Sequence, residues 1–346
     1  MGAEYYSAAV QGPHEYFELG PYTLDSGDTL PAARLAYRTL GRLNAAKDNA
    51  VLVPHMYSGT SASMQMLIGE GRALDPSRYF LILPDQFGSG LSSSPSNTPA
   101  PFDRGHFPAV TIADDVRAQH RLVTERFGIT ALHAVLGWSM GGQQTYEWAV
   151  RHPEMVLRAG VFAATARTPV QNQLQLDVQC ELLRSDPAFA DGFYTDSDDV
   201  DLGLSRHAMA WAATSTSYRF FRDEVWRRIG FAGAEEFTLG FTRSHFRPMD
   251  PNNLLRQAAK WRAADVSLCT GGDMEAALGR ITAEFFVFAF GDDLLFPAED
   301  HERDAAMIRD ARLRVIDGPL GHFTMYGLTP EDAAAIDEAL AEVLKS

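Results

Sequence analysis

Residues 137–142 read Gly-Trp-Ser-Met-Gly-Gly and follow directly on the mostly apolar run Ala131-Leu132-His133-Ala134-Val135-Leu136. No other string constrains the fold as tightly. G-x-S-x-G has chemical meaning only where a strand runs in, a sharp turn holds the serine and a helix leads away. The run before Gly137 reads as the strand, and Gln143 to Arg151 reads as the helix. The glycines have a steric reason: side chains at 137 and 141 would collide with the neighbouring strand and helix around a strained turn. The plainer alternative is an ordinary strand-to-helix turn containing a serine. The flanking pattern favours a nucleophile at Ser139.

Further short apolar runs read as buried strands: Arg34 to Thr39, Asn49 to Pro54, Tyr79 to Pro84, Leu132 to Leu136, Leu157 to Ala163, Ala283 to Phe290 and Arg312 to Ile316. Most place apolar residues at consecutive positions, the pattern of strands covered on both faces. Thr111 to Phe127 reads as a helix, with Ile112, Val116, Leu122, Val123 and Phe127 near one face and Asp114-Asp115 in the first turn, where the helix dipole favours acids. Pro330 to Leu344 reads as a closing helix. Alternation of this kind predicts an α/β fold with a mainly parallel sheet.

One gap breaks the rhythm. About 120 residues separate the strand ending near Ala163 from the one starting near Ala283, where a crossover needs little more than a dozen. Helical stretches fill it: Gln171 to Leu183, Ser205 to Ala213, Phe220 to Ile229 and Asn252 to Ala264. The expected division is a core of residues 1–165 and 281–346, with residues 166–280 inserted as a helical cap over the serine. A chain of 346 residues is long enough for this.

The net charge of -15 speaks against nucleic acid and anionic membranes as partners. The two cysteines, Cys180 and Cys269, form no disulfide framework and read as reduced thiols. Met1 to Gly12 lacks the basic and apolar regions of a signal peptide, and Phe285 to Phe290 is far too short to span a bilayer. The expectation is a cytoplasmic protein. Pro84-Asp85-Gln86-Phe87-Gly88-Ser89-Gly90-Leu91-Ser92 is rich in glycine and serine, but it has neither G-K-[ST] nor G-x-G-x-x-G. No nucleotide cofactor is predicted, and no metal-ligand spacing is found.

A serine hydroxyl needs a base, and the base works best when a third group holds it. Asp292 and Asp293 follow the apolar run ending at Phe290, where the carboxyl end of a parallel strand faces a ligand crevice. His322 follows the last strand and is preceded by Gly321, which sets it apart from the other histidines. The order Ser, acid, His is the order of α/β-hydrolases. Either aspartate fits the orienting role on position alone. Two backbone amides should hold the oxyanion: that of Met140, and one from the loop Pro54-His55-Met56-Tyr57-Ser58-Gly59, with Tyr57 preferred and Met56 next.

These residues carry a resemblance to the homoserine O-acetyltransferase family of α/β-hydrolases, in particular to its esterase-like members. The similarity runs through His55 to Gly59, Gly137 to Gly142 with Glu147-Trp148-Ala149, Asp186 to Phe189 with Gly192-Phe193-Tyr194, Asp250 to Leu254, Asp293 to Pro297 and Gly321-His322. The resemblance implies a catalytic Ser139, Asp293 and His322, with Asp292 left as a loop or capping residue. It also implies a helical cap of the kind often used to form a homodimer.

Two departures bear on the substrate. True homoserine acetyltransferases place an aspartate straight after the catalytic histidine to receive the substrate's amino group; here Phe323 stands there. They also place a cap arginine for the substrate carboxylate; in Val178-Gln179-Cys180-Glu181 its position falls to Cys180, which could equally be a packed small hydrophobe. Burying a zwitterion opposite such residues would leave ions unpaired, at a cost of several kcal/mol. A pocket with Trp138, Phe323 and Cys180 suits an uncharged alcohol portion. The expectation is a serine carboxylic-ester hydrolase of short-chain, chiefly acetyl, esters. Its competitors are an acetyl-CoA-dependent O-acyltransferase and a binding protein on an inactive hydrolase fold.

Overall fold

The apolar runs become strands because each feeds two cores at once. In the structure, a computed structural model that describes residues 2–345, Leu52, Val135, Phe285 and Val287 pack into one core with Val116, Tyr146 and Trp148. Their neighbours Val51, Ala134, Phe286 and Phe288 pack into another, with Ile336, Leu340 and Val343. Consecutive residues of a strand point to opposite faces, so a continuous apolar run is what a sheet covered on both sides requires. Met1 and Ser346, the outer ends of the expected core segments, lie outside the described residues.

Among the described residues one sheet contains eight strands: β1 (Glu15–Thr23), β2 (Thr29–Leu40), β3 (Ala50–Leu52), β4 (Phe80–Pro84), β5 (Ala134–Trp138), β6 (Arg158–Phe162), β7 (Glu284–Phe290) and β8 (Arg312–Ile316). Their order is β1-β2-β4-β3-β5-β6-β7-β8. β2 is antiparallel to β1 and to β4, and every other neighbouring pair is parallel. β1 has no counterpart in the sequence reading. It is an edge strand covered on one side only, and Gly20-Pro21 interrupts it where its register with β2 shifts.

The helix after Thr111 starts as expected: Thr111 and Asp114 close a reciprocal capping box. It is α-helical only over Ile112–Arg121 and continues as a π-type turn through Leu122–Arg126. Between β6 and β7 the chain runs through helices Val170–Arg184, Asp201–Ser215, Tyr218–Arg222 and Pro251–Arg262, with shorter turns between them. The stretch read as one helix from Phe220 to Ile229 is broken, because Glu224 adopts a left-handed conformation with φ 49°. Among the described residues no helix is long and apolar enough to cross a membrane.

The helical insertion is tied to the core by a buried ion pair. Lys260 and Asp115 are paired with both side chains fully buried, and Lys260 Nζ also donates to Phe87 O at 2.7 Å and Gln86 Oε1 at 3.2 Å. Breaking such a pair from one side strands a charge, which costs about 3–5 kcal/mol. The insertion also has an apolar cluster of its own, Phe220, Val225, Trp226 and Phe237, and Phe323 and Leu320 of the core pack into it.

Because β3, β5, β7 and β8 are parallel, their carboxyl ends lie on one edge of the sheet. The loops that follow them carry residues 54–59, Ser139, Asp293 and His322. β3 neighbours β5, so the loop after β3 lies directly beside the turn that holds Ser139.

Candidate active site

Ser139 sits between β5 and the helix Met140–Arg151 with φ 55° and ψ -126°, outside the regions open to ordinary L-residues. Strain of this kind costs on the order of 1–3 kcal/mol and persists only where the surroundings impose it. They do so here. A Cβ on Gly137 would stand 2.0 Å from Gly141 O, and one on Gly141 would stand 2.4 Å from Pro54 O. Both glycines are therefore sterically required. The second contact also shows that the serine turn rests on the backbone of the loop after β3.

Ser139 Oγ lies 2.9 Å from His322 Nε2, and His322 Nδ1 lies 2.7 Å from Asp293 Oδ2. Asp293 Oδ1 accepts from the amides of Leu295 (2.8 Å) and Phe296 (3.2 Å). With its other oxygen fixed by two amides, the carboxylate presents Oδ2 to His322 in one orientation. Nδ1 must then carry the proton, since an ionised carboxylate only accepts, which leaves Nε2 as the acceptor facing the serine. Asp292, the competing acid, points elsewhere and is paired with Arg219 of the insertion.

Met140 is the first residue of its helix, so its N–H has no acceptor within that helix. Tyr57 lies in the loop after β3, just before Ser58 with φ 57°. Buried polar contacts fix this loop. Gln86 Nε2 donates to His55 O at 2.6 Å, and the Gln86 amide donates to His55 Nε2 at 3.1 Å. The other ring nitrogen of His55 therefore bears the proton and donates to Met56 O at 2.8 Å. Burial pushes His55 down to about 3, so it is a neutral brace. The Tyr57 ring is stacked on Trp211 of the insertion, with centroids 5.2 Å apart, and its hydroxyl lies 3.2 Å from His207 Nε2.

Ser139 and His322 open into a cavity of about 30 Å³, room for one or two water-sized groups. Trp138 and Phe323 line it, together with Met56, Trp211, Phe241 and Phe246. Cys180 does not line it. That residue is buried in the core cluster with Leu176 and Leu183, the packed-hydrophobe alternative of the sequence reading. Its thiol is pushed up to about 11, mainly by burial.

The sequence reading did not select Trp211, His207, His245, Phe241, Phe246 or Arg219. A faint signal existed for His207 and Trp211, which stand four apart on one helix and so share a face. Nothing in the linear pattern told which face of the insertion closes over the serine.

Comparison with known proteins identifies the family. The family described as alpha/beta hydrolase fold matches residues 49–326. An ethyl acetate hydrolase from Pseudomonas veronii is 45% identical, with 99% of this chain and 98% of that protein covered. The crystal structure of an acetylester hydrolase from Corynebacterium glutamicum superposes with a TM-score of 0.97 at 43% identity, covering 99% of both chains. A homoserine O-acetyltransferase from Leifsonia xyli is more distant, at 33% identity over 93% of this chain and 87% of that protein. The chain belongs to the α/β-hydrolase family, in the group where acetyl-ester hydrolases have homoserine O-acetyltransferases as more distant relatives.

Proposed function

We propose that this protein hydrolyses short-chain carboxylic esters, acetyl esters above all, through an acyl-enzyme on Ser139. The observation that carries the proposal is the continuous hydrogen-bonded chain from Asp293 through His322 to Ser139, ending at a small apolar cavity. His322 Nε2 takes the proton as Ser139 Oγ attacks the ester carbonyl, and returns it to the leaving alcohol. Asp293 holds the ring in the required tautomer and offsets the charge of the imidazolium. The amides of Tyr57 and Met140 receive the oxyanion, the latter at the positive end of a helix. Water then attacks the acyl-enzyme, with His322 as base again.

The narrow cavity favours a small acyl group. Phe323 in place of an acid favours an uncharged alcohol. The ethyl acetate and acetyl-ester substrates of the similar proteins fit the same reading. In this reading residues 166–280 act as a cap, and the exposed stripe Val170, Leu174 and Val178 on one helix face is where a second copy would dock.

Hydrolysis of ethyl acetate, followed by acid release, tests the proposal. A parallel assay with acetyl-CoA and homoserine, followed by free thiol, tests the acyltransferase alternative. Thiol release without ester hydrolysis would reverse the assignment.

A further inference from the structure

The wall of the Ser139 cavity is mostly apolar, and several of its polar groups are already committed. The Tyr57 hydroxyl meets His207, and Thr242 Oγ1 donates to Thr238 O at 2.8 Å. Ser58 and His245 are different. Both line the cavity, with Ser58 Oγ 3.0 Å from His245 Nε2. Ser58 follows Tyr57 in the loop after β3, and His245 comes from the turn Ser244–Phe246 of the insertion. The pair therefore spans the two walls that meet over the serine.

Counting protons gives this pair a property that does not depend on the tautomer. Burial pushes His245 down to about 4, so its ring is neutral at ordinary pH. A neutral imidazole has one N–H and a serine one O–H. The bond between them uses one of these donors whichever way it runs. One donor is left over, and among the described residues no other hydrogen bond to either side chain is found. In an otherwise apolar pocket, a few polar groups of this kind fix the orientation of a ligand.

We propose that Ser58 and His245 form a subsite for an acceptor oxygen in the alcohol portion of the substrate. The preferred esters would then be acetates of alcohols that carry a second, uncharged oxygen: an ether, hydroxyl or carbonyl a few atoms beyond the ester. The inference rests on the esterase reading, which supplies the alcohol portion that the pair would hold. A site built to hydrogen-bond a substrate group discriminates against the analogue that lacks it, because its own polar groups then go unpaired.

The test compares 2-methoxyethyl acetate with n-butyl acetate, which differ by one oxygen for one methylene at nearly constant shape. Their ratio of rates in hydroxide-catalysed hydrolysis sets the intrinsic difference in reactivity. The expected result is that the wild-type ratio of kcat/KM exceeds the hydroxide ratio about five- to tenfold, the range of one net hydrogen bond. Ser58→Ala and His245→Phe should each bring the enzymic ratio down to the hydroxide ratio. A wild-type ratio equal to the hydroxide ratio would overturn the subsite, and that measurement needs no variant to fold. So would variants that slow both esters in equal proportion, since the pair would then serve only to place the Tyr57 loop. Turnover of neither acetate would instead sink the esterase reading, and the subsite with it.

Discussion

Arg219 is ion-paired with Asp292, the residue directly before Asp293, and the same guanidinium reaches Asp317 at 2.6 Å in the loop that leads to His322. Two residues away, Ser217 Oγ donates to Pro319 O at 2.5 Å. Gly321, with φ 57°, is packed so closely that a Cβ there would lie 3.1 Å from Ser215 O and 3.2 Å from Asp292 O. One short segment of the insertion therefore bridges the loop that holds Asp293 and the loop that holds His322. Exposed ion pairs contribute little stability on their own, so the expected effect is on alignment. Arg219→Gln should lower kcat about tenfold with little change in KM, because small misplacements of reacting groups are costly. Arg219→Lys should recover part of the loss. A kcat for Arg219→Gln within about twofold of wild type would show that the bridge does not set the triad geometry.

The two neighbouring aspartates should behave very differently. Asp293→Asn removes the charge opposite His322 and permits the wrong tautomer, so turnover should fall by roughly 10⁴-fold. Asp292 meets Arg219 and not His322, and Asp292→Asn should stay within about tenfold of wild type, in line with loss of one half-buried, solvent-screened pair. Ester hydrolysis under saturating substrate reads both. A reversed order would move the acid assignment to Asp292.

Ser139→Ala should remove essentially all ester hydrolysis, by on the order of 10⁴-fold or more, since the members of a triad act as a unit. A fluorophosphonate probe should label the wild type at Ser139 and leave the variant unlabelled. Persistent labelling at another serine, with activity retained, would end the nucleophile assignment.

Much of this site was legible because its constraints are local. Gly137 and Gly141 flank a strained serine for steric reasons that a few residues express, and β5, β7 and β8 announce themselves as apolar runs whose carboxyl ends must share an edge. The choice of Asp293 over Asp292 came from family resemblance; its physical reason, the amides of Leu295 and Phe296, is a matter of loop geometry. The remainder was hidden because it depends on how the insertion folds back. Trp211, His207 and His245 look like ordinary helix residues until the insertion is laid over the loop after β3. The expected pocket role of Cys180 failed in the same way, since the face of Val170–Arg184 that carries it turns into the core. β1 escaped notice because an edge strand broken by Gly20-Pro21 has neither a continuous apolar run nor a clean alternation.

Stability should show the brace under Tyr57 as acid sensitivity. Trp211 Nε1 can only donate, so its 3.0 Å bond makes His207 Nε2 an acceptor and puts the proton on Nδ1, which donates to Gln179 O at 3.1 Å. Burial holds His207 at about 4. Below its ordinary value of about 6.5 the unfolded chain binds a proton that the folded one refuses, so stability falls as pH drops from there towards 4. Between pH 7 and 5 this linkage amounts to about 1–2 kcal/mol. His55 and His245, also held low by burial, act in the same direction, while Asp85 and Asp115, raised to about 6 by burial, act in the opposite one. The measurement is therefore a difference. His207→Gln should be less stable than wild type at pH 7, yet should lose about 1–2 kcal/mol less on going to pH 5. Urea midpoints at the two pH values read this directly, and parallel losses in the two proteins would show that His207 is not held neutral.

Substrate choice should follow Phe323 and the narrowness of the cavity. Phe323 lies beside His322, with its ring packed 5.5 Å from Phe241 and 5.5 Å from Tyr326. A homoserine ammonium placed there would meet aromatic rings where a transferase offers a carboxylate. A cation–π contact recovers only about 1–2 kcal/mol of the cost of desolvating that charge. Homoserine should therefore be a negligible acceptor from acetyl-CoA, while acetates of uncharged alcohols turn over. The acyl side should be equally selective. A cavity of about 30 Å³ has no room for an octanoyl chain, which must displace Trp211, Phe241 or Phe246 from packed positions, and overpacking of this kind costs about 1–3 kcal/mol. p-Nitrophenyl acetate and propionate should thus exceed the octanoate in kcat/KM by roughly one to two orders of magnitude. Acetyl transfer to homoserine at a rate comparable to ester hydrolysis would show that Phe323 does not exclude the zwitterion. An octanoate as good as the acetate would show that the insertion opens far more readily than its packing over Ser139 implies.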